Sequence, residues 1–367
     1  MITETDVRFM REALEIAARG KPLSSPNPAV GCVIVRGGEV IARGFTQKAG
    51  GHHAEIEALR EADRRGVSVE GATVYVTLEP CSHYGRTPPC ALALIGRRVG
   101  RVVAAMTDPN PKVAGRGLAM LEEAGIPTEK GVLAGEAWES NRGFFTRMTR
   151  GTPWVRLKVG ATLDGRTALP NGRSQWITCE ASRQDVHRLR SEAGAVLTGI
   201  GTVLADDCRL TARLPGKDPA EIRQPLRVVA DSKLRLPAGA AVIGEDGCLV
   251  ACAADPEGRA GELEARGAEV LVLPGRDGEA DLEALVKELG RREVNDLLVE
   301  AGAGLNGALL RAGLVDEITV YVSPQLFGAG RGMWALGPYE ELSEAEKWSY
   351  HCVSRTGEDL RIDLRKN

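Results

Sequence analysis

Short apolar segments of strand length alternate with stretches of helical period, and the alternation runs twice along 367 residues. Such a pattern constrains the chain to α/β layers, in which helices cover the faces of a sheet. In the first pass, residues 6–18 set Val7, Met10, Leu14 and Ala17 on one helical face, and 24–28 reads as a loop. Strands are predicted over 29–35, 40–45, 72–78 and 101–106, with Arg36-Gly37-Gly38 turning the chain between the first two. Helices are predicted from His53, with Ile56, Leu59 and Ala62 inward, from Cys90, around 118–123 and over 136–148. The second pass opens at Trp154. It predicts strands at 154–159, 195–198, 226–230, 249–253, 269–273, 297–300 and 318–322, with helices at 181–191, 282–291 and 305–312. Residues 217–224 are polar and contain Pro219, which reads as a surface loop. The segment Thr149–Pro153 separates the passes, so two α/β domains are expected, 1–148 and 149–367. The chain length also exceeds what one ordinary core fills.

Charge excludes one class of partner. Residues 1–150 hold 20 Lys/Arg against 17 Asp/Glu, and the rest hold 27 against 33, for a net charge of −3. Neither half has the basic surplus of a nucleic-acid binder. No apolar run approaches the roughly 20 residues that span a bilayer, and residues 1–20 lack the apolar core of a signal peptide. A cytoplasmic chain with no membrane partner is therefore expected. Its eight cysteines form no regular framework, so most are expected to be reduced core residues.

Chemistry concentrates in His53-Ala54-Glu55, Pro80-Cys81 and Cys90. An imidazole and two thiols leave the fourth tetrahedral position of a zinc ion open for water, as a catalytic site requires. Zinc lowers the pKa of water to about 7, and a carboxylate that does not bind the metal, here Glu55, can then move protons. Zinc deaminases use this H-x-E and P-C…C arrangement. A closed structural site would need a fourth protein ligand, which His52 or His83 could supply. His52, however, adjoins His53 and should point elsewhere, and a closed site leaves Glu55 without a purpose. The spacing also departs from the P-C-x-x-C of nucleic-acid deaminases, because Ser82–Pro89 separates the two thiols. That argues against a tRNA or DNA substrate.

Gly302-Ala303-Gly304-Leu305-Asn306-Gly307 matches G-x-G-x-x-G between a predicted strand and a predicted helix. Backbone amides and a helix dipole at such a turn suit phosphate. A Rossmann reading is declined. That fingerprint belongs to a first βαβ unit, and its following strand ends on an acidic residue, whereas here the next strand ends Tyr321-Val322-Ser323-Pro324.

The string Cys81-Ser82-His83-Tyr84-Gly85-Arg86-Thr87-Pro88-Pro89-Cys90 is distinctive, as are Asn27–Cys32, Thr77–Pro80 and Asp108–Pro111. In the second half, Leu163–Arg166, Ser174–Thr178, Val203–Asp207 and Val299–Gly302 stand in the matching order. Together they closely resemble the bifunctional riboflavin-biosynthesis deaminase/reductase family over nearly the whole chain. The resemblance implies a cytidine-deaminase-like α/β/α sandwich followed by a dihydrofolate-reductase-like α/β domain. It implies one Zn2+ and NADPH as cofactors, a small pyrimidine ribotide as substrate, and a homodimer or homotetramer. The first domain would deaminate 2,5-diamino-6-(5-phosphoribosylamino)pyrimidin-4(3H)-one, and the second would reduce the ribosyl group of the product to ribityl.

On the same resemblance His53, Cys81 and Cys90 hold the zinc and Glu55 is catalytic. Gly160, Trp176, Thr202, Asp206, Ser232 and the run Gly302, Ala303, Gly304, Leu305, Asn306, Gly307 and Ala308 match cofactor contacts. Ser174, Arg190, Leu210, Arg213 and Glu300 match substrate contacts. Arg190 and Arg213 suit a ribose 5-phosphate, which guanidinium grips bidentately. Ser232 with Lys233, just after a strand, suits a 2′-phosphate. Trp176 would serve equally as a core residue. Asn27 either meets substrate or closes an Asx-turn before Pro28, and His83 either meets substrate or caps its loop. Lys158 and Asp164 complete the set, with Glu300 or Lys158 handling the proton of the reduction. One residue departs from the family pattern: His52 stands where Pro more often precedes the His-Ala-Glu.

Overall fold

The computed structural model describes residues 2–82, 84, 88–110, 114–218 and 221–366. The chain divides into two compact units, Met1–Arg150 and Gly151–Asn367.

The first unit runs α1 (Glu4–Ser24), β1 (Gly31–Arg36), β2 (Glu39–Phe45), α2 (Ala54–Arg64), β3 (Thr73–Val76), α3 (Cys90–Gly96), β4 (Arg101–Ala104), α4 (Arg116–Glu123), β5 (Thr128–Lys130) and α5 (Ala134–Arg150). Its sheet order is β2-β1-β3-β4-β5, with β1 antiparallel to its neighbours and β3, β4 and β5 parallel. Side chains alternate across β1. Val33 and Val35 pack with Phe9, Met10, Ala13 and Ile16 of α1, whereas Cys32 and Ile34 pack with Ala58 and Leu59 of α2, Leu94 of α3 and Leu121 of α4. The period of two thus feeds a helix layer on each face. Helix α1 starts earlier than the apolar stripe indicates, because Thr3 and Asp6 form a capping box. Helix α5 carries the chain through Thr149 and Arg150, so the division falls two residues beyond the expected boundary. The apolar stripe of that helix did not show how far its polar end continues.

The second unit runs β6 (Trp154–Thr162), β7 (Arg166–Ala168), α6 (Glu180–Glu192), β8 (Ala195–Gly199), α7 (Ile200–Asp206), β9 (Leu226–Ala230), β10 (Cys248–Cys252), α8 (Ala260–Glu264), β11 (Ala268–Val272), α9 (Leu282–Arg291), β12 (Asp296–Val299), α10 (Ala303–Arg311), β13 (Glu317–Ser323), β14 (Arg331–Gly332), β15 (Ser349–Thr356) and β16 (Asp359–Arg365). The large sheet is ordered β11-β10-β9-β8-β12-β6-β13-β16-β15. Strands β11 through β13 are parallel, and the β15–β16 hairpin adds antiparallel to β13. The central strands β8 and β12 are buried on both faces, with Leu197, Leu297 and Val299 in one core and Val196 and Leu298 in the other, as a parallel sheet between helices requires. Strand β6 buries Val155, Leu157 and Val159 on one face and leaves Arg156, Lys158 and Gly160 half-buried on the other.

The cysteines depart from expectation. All eight are free, but only Cys32, Cys90, Cys248 and Cys252 are buried, and Cys352 on the outer strand is exposed. No helix among the described residues is long and apolar enough to cross a membrane.

Candidate active sites

In the first unit two helix starts bring the predicted ligands together. His53 is the N-cap residue of α2 and its side chain makes no capping bond, which leaves the imidazole free to turn toward the loop after β3. Pro89 is the N-cap of α3, so Cys90 occupies the first helical position. The Cys90 amide donates to Cys81 Sγ at 3.3 Å, a contact that favours thiolate. His53 Nδ1 lies 3.5 Å from Cys81 Sγ and 3.3 Å from Cys90 Sγ, and the three ligand atoms lie within 4.8 Å of one another. Zinc with Zn–S of about 2.3 Å and Zn–N of about 2.0 Å spaces tetrahedral ligands roughly 3.5 Å apart, so the donor set fits that ion.

Electrostatics agree with a metal-ready cluster. A hydrogen bond from Cys90, opposed by burial and aided by His53, draws the Cys81 thiol down to about 4. Its partnership with Cys81 raises Cys90 well above the ordinary range, and binding a cation would displace the proton from such a thiol. Glu55 is in the first turn of α2 and buried. Burial pushes its carboxyl up to about 7, against the pull of His53. A carboxyl of that pKa exchanges protons readily at neutral pH.

His52 turns away from this cluster: its Nδ1 is 3.0 Å from Glu57 Oε1. It is therefore not a fourth ligand. The turn at Asn27 is closed by its backbone amide, which donates to Ser24 O at 2.8 Å. Asn141 anchors the next residues, accepting from Ala29 N at 2.7 Å and donating to Ala29 O at 2.8 Å. His83 lies outside the described residues.

Glu79 was visible in the sequence string but given no role. Its buried carboxylate accepts backbone N–H groups from Asp108 at 3.1 Å, Gly115 at 2.8 Å and Gly117 at 2.8 Å. A Cβ on Gly117 would sit 1.8 Å from Pro80 O. The start of α4 is thereby pressed against the backbone just before Cys81. An acid two residues before a ligand was the available signal.

In the second unit a cavity of about 1570 Å³ opens among β6, α6, α7 and α10. Lys158, Gly160, Ser174, Trp176, Arg190 and Thr202 line it, as do Asp206, Leu210, Arg213, Ser232 and Glu300. Gly302, Ala303, Gly304, Leu305 and Ala308 close one wall. Gly302 is the N-cap of α10, so the unpaired amides of the first helical turn face this wall. A Cβ on Gly304 would meet nothing within 4 Å, and one on Gly302 would only graze Thr202 Oγ1 at 3.9 Å. The residues present thus fit a phosphate-bearing cofactor.

Three expected contacts sit elsewhere. Asn306 is buried with Nδ2 donating to Met333 O at 3.0 Å. A Cβ on Gly307 would lie 2.2 Å from Ala335 O, so the third glycine of the motif serves packing of α10 against 333–335. Asn306 and Gly307 belong to the buried face of α10 with Leu309 and Leu310, whereas Gly304 and Ala308, four residues apart, share the face that lines the cavity. Asp164 clamps a loop, accepting from Thr162 Oγ1 at 2.5 Å and from Gly328 N at 2.6 Å. These bonds, the Thr162 one foremost, hold its carboxyl near 2. Trp176 is not core: it is 67% exposed, with the Arg183 guanidinium 4.6 Å over its ring.

Glu300 is the electrostatic centre of the cavity. Arg190 grips it bidentately at 2.6 and 2.9 Å, and Lys158 Nζ lies 2.9 Å away. Burial would raise its carboxyl, but the two cations outweigh burial and hold it well below the usual range. Arg190 also donates to Thr211 O at 3.1 Å, so most of its donors are engaged within the protein. Arg213 is exposed and is steered by His187, whose Nε2 is 3.1 Å from Arg213 Nη2 and whose Nδ1 is 3.2 Å from Thr211 O. His187 and Arg209 were not foreseen; both line the cavity beside Arg213.

Two family models match the chain: the cytidine and deoxycytidylate deaminase zinc-binding region over residues 3–106, and the RibD C-terminal domain over 153–360. The riboflavin biosynthesis protein RibD of Escherichia coli (strain K12) is 45% identical over 368 residues, covering 98% of this chain and 99% of the relative. The chain belongs to the RibD family. Solved RibD-type structures agree in fold. Acinetobacter baumannii RibD, form 1, is 42% identical, with a TM-score of 0.90 over 99% of both chains. A Thermotoga maritima protein described as a diaminohydroxyphosphoribosylaminopyrimidine deaminase/5-amino-6-(5-phosphoribosylamino)uracil reductase is 32% identical, with a TM-score of 0.87 over 98% of both chains. The two halves of this RibD-family chain are thus a deaminase-type zinc-binding domain and a RibD reductase domain.

Proposed function

We propose that the chain deaminates 2,5-diamino-6-(5-phosphoribosylamino)pyrimidin-4(3H)-one in its first domain and reduces the product in its second, giving 5-amino-6-(5-phosphoribitylamino)uracil. The observation that carries this reading is the convergence of His53, Cys81 and Cys90 beside a buried Glu55, in a chain whose second half holds the cavity lined by Glu300, Arg190 and Lys158. His53, Cys81 and Cys90 would hold zinc, which when bound would make water a nucleophile at neutral pH by lowering its pKa to about 7. Glu55 takes the proton released, passes it to the ring nitrogen and then to the departing amine, so that water and a C–NH2 group become C=O and ammonia. Its raised pKa lets it hold and give that proton in one cycle.

In the second domain NADPH, when bound, would supply the hydride that reduces C1′ of the sugar in its open form. The amides of Gly302–Leu305 bind the cofactor's phosphates, and Trp176 and Gly160 border the reacting end. Arg213, with Arg209 beside it, binds the 5-phosphate, while Arg190 is committed to Glu300. Because Glu300 stays ionised between two cations, it is a poor acid. Lys158, 2.9 Å from it, is the group that donates the proton. The chain acts in the cytoplasm, supported by eight free thiols, and assembles as a homodimer or homotetramer, which light scattering checks.

Glu55→Ala is expected to abolish ammonia release while the chain retains one zinc by atomic absorption. Ammonia release at the wild-type rate in that variant would overturn the assignment.

A further inference from the structure

The far end of the reductase cavity carries a charge conflict. Ser232 follows β9, and Lys233 and Arg235 line the same end, as a 2′-phosphate would want. Yet the Ser232 hydroxyl is already satisfied inside the protein. It donates to Glu279 Oε2 at 2.6 Å and accepts from Ala280 N at 3.1 Å. A hydroxyl has one proton to donate. Phosphate oxygens only accept, so to be bound by Ser232 a 2′-phosphate must take the proton that Glu279 now holds.

Glu279 is held where it is by its backbone. Its amide donates to Arg276 O at 3.0 Å and its carbonyl accepts from Gly275 N at 2.9 Å. Pro274 and Ala280 form a bridge across the same turn. On the other side, Ala253 N donates to Ser232 O at 3.0 Å. Both backbones are pinned, so the carboxylate relieves the conflict only by rotating its side chain into solvent, and its negative charge stays close. A ribose 2′-hydroxyl meets no such obstacle, since it can donate to Glu279 while Ser232 keeps its bonds.

We propose that Glu279 is a specificity-determining residue that disfavours the 2′-phosphate and admits the 2′-hydroxyl, so that this chain binds NADH alongside NADPH. Lys233 and Arg235 attract the phosphate, Glu279 repels it, and the balance sets the preference. The inference rests on the reading that the Ser232 end receives the adenosine ribose.

The test is equilibrium titration of the full chain with NADPH and with NADH, followed by tryptophan fluorescence, for the wild type, Glu279→Gln and a Lys233→Ala/Arg235→Ala double variant. Removing one like charge from beside a phosphate is expected to tighten NADPH by about tenfold. NADH should be unchanged or weaker in Glu279→Gln. The double variant should weaken NADPH and leave NADH nearly unaltered. Unchanged NADPH binding in Glu279→Gln, with weakened binding in the double variant, would overturn the role of Glu279 and leave the reading of the site standing. NADPH binding unchanged in the double variant would overturn the reading itself, and the inference with it.

Discussion

In the first domain the candidate site is three ligand atoms within 4.8 Å of one another, brought together by the starts of α2 and α3 and the loop after β3, with the buried carboxyl of Glu55 in the first turn of α2. In the second it is spread along the wall of a cavity of about 1570 Å³, where shape, backbone amides and dispersed charge share the work. The first kind of site depends on residue identity, and a change at one ligand removes a coordination bond outright. The second kind degrades by degrees, because any one contact is a small part of the whole. Glu300 is the exception: buried between Lys158 and Arg190, it makes one point of the dispersed site behave like a ligand of the compact one.

That exception gives the largest expected effect. Glu300→Ala leaves two half-buried cations, Lys158 and Arg190, without their shared carboxylate and should destabilise the reductase domain by about 3 kcal/mol, measured by urea unfolding, with reductase activity lost and ammonia release kept. Little change in stability would place Glu300 among the graded contacts. The next effect tests whether Gly307 packs or binds. Gly307→Ala forces a Cβ against Ala335 O and should cost about 1–3 kcal/mol of stability. NADPH affinity of the folded fraction should be unchanged, and a stable variant with weakened NADPH would return Gly307 to the phosphate wall.

The smallest effect concerns His187. Burial first, then Arg190 and Arg213, lower its pKa to about 4, against about 6.5 in an unfolded chain. The unfolded state therefore binds the proton first as pH falls. Stability from the neutral ring is fully present above pH 6.5 and is lost between there and pH 4. The side chain is half-exposed and screened, so the loss should be about 1 kcal/mol rather than the full shift. Relative to the wild type, His187→Gln should flatten the stability profile over that window, as read by thermal melts. Parallel profiles would show that the ring titrates normally.

The same contrast governs what the sequence revealed. The compact site was legible because zinc chemistry restricts residue type, and His53, Cys81 and Cys90 meet as their motif implied. Strands buried on both faces, such as β8 and β12, were legible as apolar runs. The β15–β16 hairpin was not, because nearly all of β15 is exposed and its side chains carry no core pattern. Short strands β5, β7 and β14 were missed for want of length. In the cavity, the expected contacts that line it, such as Ser174, Arg190 and Ser232, came from family resemblance. Their hydrogen-bond partners did not, because Arg190 with Glu300 and Ser232 with Glu279 are joined across 110 and 47 residues. Gly307 was expected among the cofactor contacts from its motif, but the close approach of Ala335 O to it depends on a segment 28 residues on, which the motif does not contain.

The central claim is an order of events: deamination at the first site makes the substrate of the second. It is tested most directly by following ammonia release and the loss of NADPH absorbance at ~340 nm in one sample of the zinc-loaded chain given the diamino pyrimidine ribotide, for the wild type and Glu55→Ala. The wild type should release ammonia and then oxidise NADPH. Glu55→Ala should do neither until the deaminated ribotide is added, and then oxidise NADPH at the wild-type rate. NADPH oxidation by Glu55→Ala from the diamino compound alone would contradict the account, because reduction would then not require the first site's product.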